Sequence, residues 1–146
     1  MKKIIWILGM IVLPVIAFSQ QATISLSDFT IKENGKEVPY DKTFQETLTV
    51  NVEKDFDLYT IDGITYGVSF TYKKKGERVK LMHYMWSKAD GKKKRVTRRK
   101  KEMVILKTSV KGVYTGKNVE NIIINKDTMS SLYVIFKYKL DYLDNQ

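Results

Sequence analysis

The stretch "ITYGVSFTY", residues 64–72, decides the fold. Ile64, Tyr66, Val68, Phe70 and Tyr72 alternate with Thr65, Gly67, Ser69 and Thr71. An extended chain therefore sends all five large side chains to one face, the period of a half-buried strand. Outward from it, the same period runs through Phe44, Leu48, Val50 and Val52. It recurs through Leu132, Val134, Phe136, Tyr138, Leu140 and Tyr142. Shorter strand candidates cover residues 22–31, 58–61, 103–107, 110–114 and 119–125, and no stretch carries a comparable helical period.

Turn chemistry falls between these runs. Asn34-Gly35, Asp62-Gly63 and Asp90-Gly91 are pairs that accept positive φ, as tight hairpin turns require. Gly76 and Gly116 mark two further turns. About eight or nine strands with short links and no helices predict an all-β fold, an antiparallel β-sandwich, with a small closed β-barrel as the alternative.

The N-terminus reads as a leader. Lys2 and Lys3 precede an uncharged run from Ile4 to Phe18, short of the roughly 20 residues of a spanning helix. Ala17-Phe18-Ser19 places small residues where a signal peptidase inspects them. Residues 1–19 are therefore expected to be a signal peptide and 20–146 a single β domain. The protein is expected to be exported to a periplasmic, cell-surface or extracellular location of a bacterial envelope. The chain has no cysteine, so neither disulfides nor thiolate metal sites are available.

Charge is gathered in the middle. Residues 73–101 hold 14 Lys and Arg against Glu77 and Asp90, net +12, whereas residues 20–72 hold four bases and nine acids, net −5. The stretch "LMHYMWSKADGKKKRVTRRKKEMVIL", residues 81–106, sets an aromatic run against the densest block of that charge. A two-residue turn at Asp90-Gly91 pairs Ala89 with Lys92, Trp86 with Arg95, Met85 with Val96, Tyr84 with Thr97 and His83 with Arg98. Consecutive lysines put cations on both faces, and no buried surface accepts them unpaired. A projecting basic hairpin is expected, reaching about 30 Å if both strands stay extended to Leu81 and Lys101. The unbroken ladder would set Val104 against Glu77, so a bulge or loop is expected to interrupt it.

Lys92, Lys93, Lys94, Arg95, Arg98, Arg99, Lys100 and Lys101 are the candidate polyanion-binding residues. Clustered cations of this kind neutralise closely spaced phosphates, sulfates or carboxylates with release of counterions, and arginine adds paired donors. The partners expected are an anionic polysaccharide, an envelope phosphate polymer or extracellular nucleic acid. Tyr84 and Trp86 are candidate stacking residues for bases or sugar rings, against which stands an ordinary place in the core. The alternative is a structural or adhesion component. It would dock the basic arm or an edge strand on an acidic protein surface, or on the acidic first segment of another copy.

The remaining chemistry is thin. Met82 shares a face with Tyr84 and Trp86, whereas His83 shares one with Met85, so the thioether and imidazole groups divide and make no copper site. His83 is the sole histidine, and neither a nucleophile elbow nor a zinc-binding helix motif is present. The paired carboxylates Asp55 and Asp57 suit an exposed strand as well as a glycosidase. The residues therefore assign no catalytic group, cofactor or metal.

Overall fold

The computed structural model describes residues 21–75, 78–97, 101–107 and 112–142, with residues 74, 75, 78, 79, 101–107, 112, 114 and 142 described as backbone only. Among the described residues ten strands follow in order: β1 Gln21–Glu33, β2 Lys36–Val38, β3 Phe44–Thr49, β4 Glu53–Ile61, β5 Ile64–Lys75, β6 Arg78–Ala89, β7 Lys92–Arg95, β8 Lys101–Lys107, β9 Gly112–Asn125 and β10 Ser130–Tyr142. The fold is all-β, and every pairing is antiparallel. The strands form two five-stranded sheets rather than one closed barrel. In the first, β2 and β3 share one flank of β1, followed by β10 and β9; in the second, β4, β5 and β6 follow in order and β7 and β8 share the outer flank of β6. Sharing explains why ten segments answer to eight lateral positions.

The alternation of residues 64–72 builds the interface between the sheets. Tyr66, Val68, Phe70 and Tyr72 are buried on the inner face with Phe56 and Leu58 of β4 and Leu81 and Met85 of β6. Ile24, Leu26, Leu132, Val134, Phe136 and Leu140 meet them from the other sheet. Ring contacts cross the gap, with Phe70 6.4 Å from Phe136 and 6.0 Å from Tyr138 between centroids, and Phe44 5.8 Å from Phe56. Such tilted and edge-to-face pairs suit aromatic quadrupoles.

All three expected turns have the predicted backbone. Asn34, Asp62 and Asp90 have φ of 52°, 50° and 51°, and each is followed by glycine at 82°, 77° and 75°, the geometry whose twist matches flanking strands. Two readings need correction. Val50 lies in the turn between β3 and β4, so the run from Phe44 to Val52 is not one strand. Gly116 is no turn: it lies within β9 directly opposite Tyr138, and a Cβ there would collide with the Tyr138 hydroxyl and ring. Gly67 is likewise opposite Trp86, whose ring occupies the place an added Cβ would need. Both glycines are there so that an aromatic ring can lie across the neighbouring strand. Gly76 and the expected leader, residues 1–19, lie outside the described residues. Among those described, no helix is long and apolar enough to cross a membrane.

Candidate polyanion-binding surface

The turn at Asp90-Gly91 sets the expected register: Ala89 opposes Lys92, Lys88 Lys93, Ser87 Lys94 and Trp86 Arg95. The ladder then breaks, as expected. Val96 and Thr97 both direct their N–H groups at the Met85 carbonyl, at 2.9 and 3.4 Å. The expected pairings of Tyr84 with Thr97 and His83 with Arg98 are therefore lost, because two residues are spent opposite Met85, and pairing resumes with His83 opposite Lys101 and Leu81 opposite Val104. The slip frees Val104 from Glu77 and places it beside a buried leucine.

The hairpin does not project. β6 is paired on its other side to β5 along its length, from Arg78 opposite Lys75 to Lys88 opposite Thr65. It is thus an interior strand, and the Asp90-Gly91 turn ends level with the neighbouring Asp62-Gly63 turn. Periodicity in β6 shows which face each residue takes but not that a second strand lies along its far side, so an arm of about 30 Å is an overestimate.

Of the candidate cations, Lys92, Lys94 and Arg95 are exposed and have no carboxylate partner among the described residues. Arg98, Arg99 and Lys100 lie outside the described residues, as does the side chain of Lys101. Lys93 differs from its neighbours. Its Nζ donates to Glu53 Oε2 at 2.9 Å and to both Asp55 oxygens at 3.2 Å, and the Ser69 hydroxyl donates to Asp55 from beneath. Partial burial alone would lower the ammonium pKa, but hydrogen bonds with Glu53, Tyr84 and Asp55 and the Asp55 charge hold it well above the usual lysine value.

This contact spans the sheet. Lys93 stands on β7 and the carboxylates on β4, three ladder positions or about 14 Å away in a flat sheet, from which side chains leave roughly perpendicular. They meet because the long Lys93 side chain lies across the outer face, over the rings of β6. The outer face so enclosed carries Gly67, Ser69 and Thr71 of β5 with Met82, Tyr84 and Trp86 of β6. Lys93 Nζ lies 5.6 Å from the Tyr84 ring centre and 5.8 Å from that of Trp86, within the range of cation–π attraction.

Tyr84 and Trp86 are therefore not open stacking platforms. They are 8% and 1% exposed, sealed under the hairpin, and they belong to this outer cluster rather than to the core between the sheets. Arg95 faces Trp86 across the ladder as expected, but the cation over the ring belongs to Lys93. Glu53, Asp55, Ser69 and Gly67 are parts of this site that the sequence reading does not reach. The signal was present in the acidic first segment and in an alternation that spared the outer face large residues. The strand order that brings β4 within reach was not.

The copper and catalytic candidates also have places. His83 is buried on the inner face, 5.6 Å from Phe70 and 6.5 Å from Tyr138 between ring centres, with Met85 on the same side and Met82 on the other. Asp55 is engaged by Lys93 and Ser69. Asp57 lines an open cleft of about 520 Å³ with Tyr40, Asp41, Lys42 and Tyr59. The Tyr40 hydroxyl donates to the Leu58 carbonyl there at 2.6 Å, and burial pushes its pKa up to about 12. Comparison of the chain with protein-family models, with curated proteins and with solved structures returns no match.

Proposed function

We propose that this chain is an exported, noncatalytic binding module that holds an acidic polymer through the basic hairpin. The observation that carries the reading is that Lys92, Lys94 and Arg95 stand exposed on one four-residue strand, unmatched by any carboxylate among the described residues, while their neighbour Lys93 is tied down. Exposed like charges at this density repel one another, and a polymer with closely spaced anions relieves the repulsion while releasing its counterions. Lys93 then acts as the strut that fixes β7, and Lys92, Lys94 and Arg95 as ligands, continued by Arg98, Arg99, Lys100 and Lys101. Anionic polysaccharide, envelope phosphate polymer and extracellular nucleic acid share the required chemistry. Stacking by Tyr84 and Trp86 forms no part of it.

Binding to double-stranded DNA at several salt concentrations, beside a sulfated polysaccharide, tests this reading. Replacing Lys92, Lys94 and Arg95 together by Gln is expected to weaken binding to either polymer and to reduce the DNA salt slope by as much as about 3, near one for each phosphate no longer neutralised. An unchanged slope with unchanged retention overturns the site.

A further inference from the structure

Among the described residues, the four sheet edges are not protected alike. The β4 edge carries Glu53, Lys54, Asp55 and Asp57 and is interrupted between Asp57 and Tyr59. The β2–β3 edge is split into strands of three and six residues. The β7–β8 edge is broken and basic. By contrast β9 runs 14 residues, pairs with β10 without irregularity from Gly112 to Ile123, and carries only Lys117 and Glu120 as charges. Its outward row leaves Val113 56%, Val119 43% and Ile123 56% exposed. A long, regular, apolar edge is an invitation to strand pairing that folded proteins usually block.

We propose that β9 is the surface through which two copies of this chain join edge to edge, antiparallel, about a two-fold axis at Asn118. That axis sets Val113 against Ile123 of the second copy at both ends, Thr115 against Asn121 and Lys117 against Val119, so that like faces and like backbone rows meet. Moving the axis one residue sets Lys117 against Lys117 or Ile123 against Thr115. The residue on the axis gives an independent reason. Asn118 is 3% exposed and its Nδ2 has no hydrogen-bond partner among the described residues, an expensive state for a buried donor. Pairing sets the two Asn118 side chains opposite one another, where each amide, turned from its buried position toward the new strand, lets Nδ2 donate to the other's carbonyl oxygen. The remaining β9 backbone groups find partners in the same step, the route of strand addition.

Sedimentation velocity of the full chain over a range of concentrations, with circular dichroism as the control for folding, tests the proposal. The unaltered protein is expected to form a dimer at the upper concentrations. V113K and I123K each shift it toward monomer, V113K/I123K abolishes it, and V113K/I123E restores it, because each lysine then meets the glutamate of the other copy. The substituted positions are exposed, so the fold is retained. A monomer at every concentration, or a dimer indifferent to V113K/I123K, overturns the interface. Failure of V113K/I123E to restore the dimer overturns the register about Asn118. No polymer is present in this experiment, so its outcome is independent of the hairpin's ligand.

Discussion

Gly67 is where one side chain decides most. A methyl group there meets both the Trp86 ring and the Phe56 carbonyl, and backbone cannot give way cheaply. Gly67→Ala is expected to destabilise the protein by about 1–3 kcal/mol, the usual cost of overpacking, read from the midpoint of urea unfolding. The sequence could not announce this, because glycine in a strand has several ordinary explanations. Tyr40 makes the corresponding case in alkali. With its pKa raised by burial from 10.0 to about 12, the folded protein keeps the phenol neutral where the unfolded chain ionises. The stabilisation is complete below pH 10, and stability falls as pH rises toward 12. Tyr40→Phe removes that dependence and is expected to flatten the decline in stability between pH 10 and 12, measured by unfolding at each pH.

At the level of elements, alternation identified β5 and β10 and turn chemistry identified all three tight hairpins, since both depend on neighbours in sequence. Register at Asp90-Gly91 followed from the turn alone. What escaped was lateral order. Whether β6 lies free or inside a sheet is decided by β5 pairing along its far flank, and nothing in residues 81–89 distinguishes the two. The turns also differ in ways their dipeptides conceal. Besides its positive φ, Asn34 donates its N–H to the Ser131 carbonyl and accepts the Ser131 N–H on Oδ1, both at 2.9 Å. Asp62 and Asp90 make no such bridge among the described residues. Asn34→Ala is expected to cost about 1–2 kcal/mol, more than Asp62→Ala, in paired chemical unfolding curves.

For the molecule as a whole, the split between an acidic first segment and a basic middle one is partly answered internally, where Glu53 and Asp55 hold Lys93. Charge counting located both halves of this contact, but only their meeting on one sheet face shows which cation is spent on structure. Lys93→Gln is expected to lower stability by about 1 kcal/mol by removing the ion pairs and the cation–π attraction, after allowance for partial solvent screening. The raised ammonium pKa means this contribution is fully present below the ordinary lysine value of 10.5 and is lost as pH rises through the folded-state value. Comparing the two proteins at pH 7, 9 and 11 checks the sign, with their difference narrowing only at the most alkaline point.

The enclosure of Trp86 has an optical consequence. The chain holds two tryptophans, and Trp6 falls within the expected leader, so indole emission from an exported form would come from a single fluorophore under one ammonium group. Its wavelength and quantum yield then serve as a label-free gauge of the clasp. A polymer that neutralises the hairpin while leaving Lys93 in place leaves the spectrum still, and one that draws Lys93 from its carboxylates lets water reach the ring and shifts emission to the red.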